Sequence, residues 1–559
     1  MLDMGKKVLK TIGWSLLILF LAAAAIITGL IVSADMLQPE IRTGIPSYTL
    51  IRENNYRKWG DNYLRRSETG LWEMMVSGRD FERGVAIGKL SDDLLYYQEK
   101  VFVDQIKKIV PSETYLRFLG YFTLLFNRNL AHNIPEEYRR EIYGISLSCS
   151  EEFNYIASPY ERQLNYHAAH DLGHAMQDYM LVGCTSFALW GEESADSSLI
   201  IGRNFDFFVG EDFARNKQVM FYNPDQGYKF ASVAWAGMTG VLSGMNETGL
   251  TVTINAAKSS VPTSASTPIS VLVREILQYA STVEEAYTIA LKRKTFVSES
   301  ILIGSAKDKR AVIIEKSPDK IDLFSPEGNR IICTNHFQSE AFASDKRNIE
   351  NIRTSDSKYR YESVEELLNE YIPLDEVRTA SVLRDRMGRG RQEIGLTNEK
   401  AVNQFIAHHS VIFKPEERMM WVSAGPWQSG RYIAYDLKKI MNDETDFRDE
   451  IDCKERMIPE DSFLYGPVYK NLLDYKRLTG YIRENINTVI PADSLDKLEQ
   501  SNPEYYYTWE LLGDYYESVK EYEKADRFWK KALTKEIPHL REKERIESKI
   551  ETRTHGKKR

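Results

Sequence analysis

Gly183-Cys184-Thr185-Ser186-Phe187 begins a strand-like run, and Gly202-Arg203-Asn204-Phe205-Asp206-Phe207 forms the next one along the chain. Both runs are short and contain β-branched or aromatic residues, which predicts two consecutive strands. The second run places Arg203 and Asp206 inside an apolar strand. Because burying these charges is costly unless they pair or serve a site, we predict a functional site beside Cys184.

The pattern of the chain changes at this cysteine. Before it, residues 39–183 show apolar residues at spacings of three and four, which predicts mostly helices. After it, short β-branched and aromatic runs alternate with turn residues. The predicted strands are 185–190, 199–205, 229–236, 250–255, 301–304, 311–315, 330–333, 411–414 and 419–424, with helices at 269–279 and 283–291. This order of strands, helices and strands predicts an α+β domain with a largely antiparallel sheet.

Composition narrows the range of functions. The chain has 559 residues, 43% of them hydrophobic, so it is long enough for two or three domains with buried cores. Its formal charge of -8, from 73 Lys and Arg against 81 Asp and Glu, offers no basic stripe for nucleic acid. Four cysteines are too few for a disulfide framework, and none has CxxC spacing.

The amino terminus carries Lys6, Lys7 and Lys10, followed by an uncharged stretch at residues 11–34 that is long enough to cross a bilayer. We predict that residues 1–38 form a cytoplasmic end and a single-pass membrane anchor, with the remainder outside the cytoplasm. The alternative is a signal peptide cleaved near Ala34, which would leave a secreted or periplasmic protein.

The last part of the chain, residues 436–559, is predicted to be helical. Within it, residues 505–538 have the spacing of one tetratricopeptide unit, carried by Trp509, Leu512, Gly513, Tyr516, Ala525, Trp529 and Ala532. An ordinary helical hairpin is the alternative. Because stacked repeats need about three units for stability, we expect this region to dock on the body of the protein or on a protein partner.

Two histidines suggest a metal site only weakly. His170 and His174 are four residues apart, a spacing that puts both on one helix face and can bind a divalent metal. No glutamate stands in HExxH register, and Gly173 weakens the helix. Packing against the body is the favoured interpretation, and we expect no metal or other cofactor.

Several further motifs follow Cys184 in a fixed order. They are Gly244-Met245-Asn246-Glu247-Thr248-Gly249-Leu250 leading to Asn255, then Thr334-Asn335-His336-Phe337, His409-Ser410-Val411-Ile412-Phe413 and Trp421-Val422-Ser423-Ala424-Gly425-Pro426, with Ser77-Gly78-Arg79-Asp80-Phe81-Glu82-Arg83-Gly84 upstream. Together with the cysteine, these motifs resemble the N-terminal nucleophile (Ntn) hydrolases. The resemblance is to the branch of choloylglycine hydrolases and acyl-coenzyme A:6-aminopenicillanic acid acyltransferase-like proteins, and it covers about residues 77–426.

This resemblance implies a four-layer αββα core and a precursor that cuts itself between Gly183 and Cys184. The cut would give Cys184 a free α-amine with a pKa of about 8, so that one residue supplies nucleophile and general base. Residues 39–183 would then be a helical pro-region and residues 184–435 the catalytic domain. The expected reaction is hydrolysis of a small linear acyl amide, or transfer of its acyl group, through a thioester.

The resemblance also assigns site residues. Arg203 would stabilise the thiolate, Asp206 would hold the α-amine, and Asn255 would help to form an oxyanion hole. Asn335 matches a second active-site asparagine. The resemblance also implies a distal arginine. We assign Arg360 to this position, and Arg353 is an equally placed alternative. Two alternatives stay open at this point: an ester or phospholipid acyl hydrolase using the same site, and a non-enzymatic scaffold that binds a partner through its C-terminal helices.

Overall fold

The computed structural model describes Trp14 and residues 38–109, 127, 130–175, 181–260, 266–442 and 445–556. The strands in these ranges, numbered β1 to β18, are Ile51–Arg52, Tyr56–Trp59, Asn62–Arg66, Trp72–Gly78, Leu181–Val182, Thr185–Leu189, Ile200–Phe208, Gln218–Pro224, Phe230–Ala234, Ser243–Asn246, Leu250–Ala256, Glu299–Ser305, Arg310–Lys316, Ile321–Phe324, Arg330–Cys333, Ala407–Lys414, Met419–Ser423 and Tyr432–Asp436.

The helices alternate with these strands and then fill the carboxyl-terminal part. The α-helices of the described ranges, numbered α1 to α16, are Asp80–Leu90, Asp92–Ile109, Leu130–Asn133, Glu136–Ser146, Pro159–Ala175, Ile269–Tyr279, Val283–Lys292, Lys346–Thr354, Ser357–Tyr371, Glu376–Leu383, Leu437–Met441, Pro467–Glu484, Ala492–Ser501, Tyr506–Ser518, Tyr522–Ala532 and Leu540–Gly556. The predicted α+β class is therefore confirmed.

Two sheets organise the strands. Across the described residues, the larger sheet has the order β1-β2-β3-β4-β8-β9-β10-β11-β12-β13-β14, and the smaller one has the order β15-β6-β7-β16-β17-β18 with β5 also paired to β7. The pairs are antiparallel except that β4 runs parallel to β8. Strands β6 and β7 pair with Ser186 opposite Arg203, so the predicted consecutive strands are neighbours in the smaller sheet.

Three apolar clusters pack these elements. One contains residues of both sheets, such as Val219 and Leu302 from the larger sheet and Ile201 and Val411 from the smaller one. A second cluster joins the larger sheet to helices α1 and α2 and to helices α4 to α7. A third joins the smaller sheet, through residues such as Trp421, to α9 and α10. Strand β7, which carries Arg203 and Asp206, therefore lies in a sheet whose two faces are covered.

The prediction that residues 39–183 are mostly helical is wrong for the first part of that range. Strands β1 to β4 occupy Ile51–Gly78 and extend the larger sheet, in which Trp72–Gly78 pairs with Gln218–Pro224. A central strand that is covered on both faces lacks the apolar and polar alternation that marks a half-buried strand.

The structure does not support the prediction of a single-pass membrane anchor. In the ranges that the structure describes, no helix has both the length and the apolar character needed to cross a membrane. Residues 11–34 themselves lie outside the described residues, apart from Trp14. The location in a membrane is therefore unsupported, whereas removal of a signal peptide stays a prediction.

The carboxyl-terminal helices α12 to α16 share their own apolar cluster. Five of the seven residues of the tetratricopeptide spacing are among its members, including Trp509, Ala525 and Trp529. Gly513 is required there because a Cβ atom at this position would lie 2.3 Å from the Trp529 ring. This explains the glycine of the spacing by close helix packing, although assignment as a tetratricopeptide unit stays a prediction.

Candidate active site

Cys184 directly precedes β6 and is only 1% exposed. The backbone amide of its neighbour Gly183 donates to the carbonyl oxygen of Asp206 at 3.0 Å, which ties the predicted cleavage junction to β7. Arg203 and Asp206 both lie on β7 and are fully buried. The pairing of neighbouring strands thus brings together the three residues that the two opening motifs singled out.

The guanidinium of Arg203 faces the thiol. Its Nη2 lies 3.9 Å from Cys184 Sγ and also donates to the carbonyl oxygen of Ile254 at 2.5 Å. Its Nη1 donates to the Ser243 hydroxyl and lies 3.2 Å from His409 Nε2. Because the guanidinium is held from several sides, its positive charge is fixed beside the sulfur.

Two opposing effects act on the Cys184 thiol. Burial raises its pKa to about 11, and the charge of Arg203 acts against that rise. Asp206 and Glu299 raise the thiol pKa further, whereas Arg360 lowers it. In the continuous chain the neutral thiol is therefore the dominant form at neutral pH, and a proton acceptor is needed to activate it.

Asp206 is a buried carboxyl group whose two carboxylate oxygens lack a hydrogen-bond partner among the described residues. Burial raises its pKa to about 8, against the lowering effects of Arg360 and Arg203. An isolated buried carboxyl group is destabilising unless it meets a donor or a positive charge. Its surroundings therefore suit a cationic or hydrogen-bonding group that would be created next to it.

Asn255 and Asn335 lie near each other, one on β11 and the other after β15. Asn255 Nδ2 donates to the carbonyl oxygen of Cys333 at 2.9 Å, and its Oδ1 accepts from the Ser186 hydroxyl at 3.0 Å. Asn335 Nδ2 donates to the carbonyl oxygen of Ala256, the residue after Asn255, at 2.9 Å. A side-chain amide has two N–H groups, so the contact to Cys333 uses only one of the two on Asn255.

The structure separates the two candidates for the distal arginine. Arg360 is fully buried on α9, and its Nη1 donates to the carbonyl oxygen of Cys184 at 2.7 Å. Its Nη2 donates to Asn335 Oδ1 at 2.7 Å, and its Nε donates to Asp356 Oδ2 at 2.9 Å. Arg353 instead forms a surface pair with Glu350, with 62% of its side chain exposed. Only Arg360 is joined to the site.

Two residues beside the site were not predicted. Glu299 is fully buried on β12 and acts electrostatically on both Cys184 and Arg203. A charged residue in an apolar run could have identified it, as it identified Arg203. Gln404 is 2% exposed and packs against Gly183, where its Nε2 would lie 2.7 Å from an added Cβ atom. No local pattern marks Gln404, because its contact depends on a loop conformation.

The histidines of the weak metal motif remain untested. His170 and His174 belong to α5, but their side chains lie outside the described residues. His167, on the same helix, is buried and contacts the carbonyl oxygen of Gln163 and the hydroxyl of Thr239. Within the described ranges, no group of three or more His, Cys, Asp or Glu side chains is arranged to hold a metal ion.

A small cavity borders strand β7. Helices α2 and α5 form one side of it, and Phe207, Phe213 and Trp235 form the other. Phe207 and Trp235 belong to the same apolar cluster as Cys184. The lining also includes the polar side chains of Gln98, Glu99, Gln163 and His167.

Comparisons with known proteins agree with the sequence motifs. Residues 191–427 match the family described as acyl-coenzyme A:6-aminopenicillanic acid acyl-transferase. This match begins after Cys184 and includes Arg203, Asp206, Asn255, Asn335 and Arg360. The predicted resemblance to acyl-coenzyme A:6-aminopenicillanic acid acyltransferase-like proteins is therefore confirmed over these residues.

Two curated proteins are similar to parts of the chain. An uncharacterized protein of Archaeoglobus fulgidus is 24% identical over 284 residues, which cover 46% of this chain and 45% of that protein. Protein dcd1B of Dictyostelium discoideum is 22% identical over 196 residues, covering 34% and 36% respectively. The chain therefore spans less than half the length of these curated relatives.

Solved structures also show similarity at low identity. An N-acylethanolamine-hydrolyzing acid amidase ortholog of Caenorhabditis elegans has 18% identity and a TM-score of 0.31, covering 42% of this chain and 93% of its own. A variant of the conjugated bile acid hydrolase of Clostridium perfringens has 15% identity and a TM-score of 0.31, covering 46% and 93%. Penicillin V acylase of Agrobacterium tumefaciens has 15% identity and a TM-score of 0.32, covering 46% and 87%.

Proposed function

We propose, on the premise that residues 191–427 match the acyl-coenzyme A:6-aminopenicillanic acid acyl-transferase family, that this protein is a self-cleaving cysteine hydrolase or acyltransferase. It would act on the amide bond of a small linear acyl amide. The observation that carries the proposal is the pair of buried groups beside Cys184. Arg203 lies 3.9 Å from the sulfur, and the Asp206 carboxylate has no hydrogen-bond partner in the described part of the chain.

Cleavage before Cys184 would provide the group that Asp206 lacks. Asp206 and the Gly183–Cys184 junction are adjacent, since the Gly183 amide donates to the Asp206 backbone. A new α-amine at Cys184 would add N–H donors at this junction and become positively charged when it takes up a proton. Asp206 would stabilise that charge and orient the amine, and its own pKa would then fall because of the adjacent cation.

The proposed cleavage step uses the same sulfur. Cys184 Sγ adds to the carbonyl carbon of Gly183, the bond from that carbon to the Cys184 nitrogen breaks, and the nitrogen takes up a proton to become the α-amine. Water then hydrolyses the resulting thioester, which yields a Gly183 carboxylate and restores the thiol. Gly183 suits this position because the Gln404 amide occupies the space that a side chain would need.

Turnover would follow the same course with an external amide. The α-amine accepts the thiol proton as the sulfur attacks the acyl carbon, and it gives this proton to the departing amine when the thioester forms. Arg203 favours the thiolate, and the second N–H of Asn255 is available to the oxyanion. Water completes hydrolysis, whereas a different amine as acceptor would complete acyl transfer.

Asn335 and Arg360 act as positioning residues. Asn335 binds the carbonyl oxygen of Ala256, and Arg360 binds the carbonyl oxygen of Cys184.

The architecture is compatible with a catalytic domain of residues 184–435 in an αββα arrangement. The cluster between the sheets and the helix clusters on their outer faces support four layers. Residues 39–183 would be a pro-region that stays bound after cleavage, since β4 lies inside the larger sheet.

The proposal is tested on the full chain by mass spectrometry and by amide hydrolysis. We expect purified protein to contain a fragment that begins at Cys184, and Cys184→Ala to abolish both the cut and the activity. Cys453→Ala is the matched control, because this partly buried cysteine lies outside the site at the start of a short 3-10 helix. Amide and ester donors with the same acyl group identify the bond cleaved. An active chain without the cut would contradict the mechanism.

A further inference from the structure

A loop between α10 and β16 forms one wall of the proposed site. We call residues 394–405 the site loop. Gln404 packs against Gly183, and its Nε2 atom has no hydrogen-bond partner within the described ranges. The carbonyl oxygen of Glu399 accepts from Arg360 Nε at 3.1 Å, and that of Val402 accepts from Asn204 at 3.0 Å. The loop thus contacts both the cleavage junction and the arginine that binds the Cys184 carbonyl.

The carboxyl-terminal helices hold this loop from its other side. Asn502 accepts from the Leu396 amide at 2.9 Å and donates to the Leu396 carbonyl oxygen at 2.8 Å. The backbone of Tyr505 packs so closely on Gly395 that an added Cβ atom would lie 2.4 Å from it. Asn502 is 2% exposed, so water cannot easily replace its two hydrogen bonds.

Further contacts extend along the loop. Asn398 Nδ2 donates to the carbonyl oxygen of Glu536 at 2.9 Å, and Lys400 forms an ion pair with the Glu536 carboxylate. The Tyr505 hydroxyl donates to a Glu399 carboxylate oxygen at 3.2 Å. Lys476 donates to the carbonyl oxygen of Phe405 at 3.1 Å. Contacts with the carboxyl-terminal helices therefore extend from Gly395 to Phe405.

We propose that the carboxyl-terminal helices are a positioning element of the active site: they hold the site loop so that Gln404 meets Gly183 and the Glu399 carbonyl meets Arg360. Asn502 is the main positioning residue, because both groups of its side-chain amide bind one backbone position of the loop. The inference rests on the proposed function, since it assigns the helices a part in cleavage and turnover rather than in binding a separate partner.

The physical reason is the precision that cleavage requires. A shift of about 1 Å at a site can lower a rate by about a hundredfold. The site loop has little regular structure of its own, and Phe405 has a positive φ of 54°. Its conformation therefore depends on tertiary contacts. Contacts on one side alone would leave the loop free to move away from Gly183.

The experiment compares Asn502→Ala with Asn485→Ala in full-length protein made by cell-free synthesis. Asn485 is a matched control because it lies in the same helical region and donates only within its own helix end, to the Tyr481 carbonyl oxygen. Three quantities are measured: the rate at which the fragment beginning at Cys184 appears, kcat and KM for an amide donor, and hydrogen exchange of residues 394–405.

We expect Asn502→Ala to slow cleavage and lower kcat by about ten- to a hundredfold with little change in KM, and to accelerate exchange in the site loop. Asn485→Ala should match the wild type in all three quantities. If folded Asn502→Ala has the wild-type cleavage rate, the wild-type kcat and wild-type hydrogen exchange in the site loop, the inference is overturned. If Asn502→Ala does not fold, Tyr505→Phe carries the same test, because it removes the hydroxyl that contacts Glu399 and Thr397 of the site loop.

The outcomes also separate this inference from the proposed function. If the wild type neither cuts itself nor hydrolyses amides, the proposed function is wrong, and hydrogen exchange alone then decides whether the helices hold the loop. If the wild type cuts normally and Asn502→Ala does so equally fast, the proposed function stands and the positioning role is wrong.

Discussion

Arg360 donates a hydrogen bond of 2.7 Å to the carbonyl oxygen of Cys184, although 176 residues separate the two in the chain. The same guanidinium binds Asn335 and Asp356. The buried guanidinium of Arg360, on α9, therefore joins the backbone of the proposed nucleophile to Asn335, which follows β15. The first prediction follows from this connection.

Arg360→Ala should destabilise the protein, whereas Arg353→Ala should not. Removing Arg360 breaks its buried ion pair with Asp356, whose other neighbour is the His539 ring at 4.0 Å, and breaking such a pair costs about 3 to 5 kcal/mol. Arg353 is exposed, so its loss should change the free energy of unfolding by less than about 0.5 kcal/mol. Urea unfolding of both variants in a Cys184→Ala background measures the difference. Equal stabilities would contradict the assigned connection.

Asp206 should make the uncut chain less stable as the pH rises. Burial raises its folded pKa to about 8, above the usual value near 4, so the folded chain binds this proton more tightly than the unfolded chain. The resulting stability is fully present below about pH 4 and is lost as the pH approaches 8. We therefore expect Asp206→Asn to raise the Tm more at pH 9 than at pH 5.

The pH test uses the Cys184→Ala background, which prevents cleavage and keeps the α-amine from forming. Other buried carboxyl groups, such as Glu73 and Glu399, also have pKa values raised to about 8. The difference between Tm curves with and without Asp206→Asn removes their shared contribution. A constant difference from pH 5 to pH 9 would show that Asp206 does not titrate in this range.

Asn255 and Asn246 should respond differently to alanine substitution. Asn255→Ala removes the proposed oxyanion donor and should lower kcat by about a hundred- to a thousandfold. Asn246 instead donates to the carbonyl oxygens of Leu277 and Ala280, away from the thiol. Asn246→Ala should lower the free energy of unfolding by about 1 to 3 kcal/mol and leave kcat nearly unchanged. We measure kcat and the free energy of unfolding for both variants. A large loss of kcat in Asn246→Ala together with an unchanged kcat in Asn255→Ala would contradict these roles.

The two fragments produced by cleavage should remain together. Strand β4 of the first fragment pairs with β8 of the second over seven residues. Glu141 of the first fragment also lies between Arg83, at 2.7 Å, and Arg274 of the second, at 3.4 Å. Size-exclusion chromatography of the cleaved protein should show one species that contains both fragments, and separate elution would contradict this expectation.

A matched pair of variants tests the buried ions that join the fragments. Glu141→Gln should lower the free energy of unfolding by about 3 to 5 kcal/mol, because it removes the buried carboxylate that the two buried arginines share. Glu136→Gln is the control, since its pair with Arg140 is exposed and contributes at most about 1 kcal/mol. Urea unfolding of both variants measures this difference.

Local sequence determined much of the fold after Cys184. The strands at Thr185–Leu189 and Ile200–Phe208 and the helix at Ile269–Tyr279 agree with their predicted ranges within a few residues. Their apolar periodicity is a property of neighbouring residues, so it can be interpreted without the tertiary structure. The same local signal, a charge within an apolar strand, singled out Arg203 and Asp206.

Only the tertiary structure decided how distant segments meet. It placed β4 beside β8, distinguished Arg360 from Arg353, and brought Gln404 against Gly183. It also placed Asn502 against the site loop. These contacts join residues far apart in the chain through strand pairing and buried polar groups, for which a local pattern contains no information. The sequence therefore predicted the chemistry proposed for Cys184, whereas the packing of distant segments decided the surroundings in which that chemistry would occur.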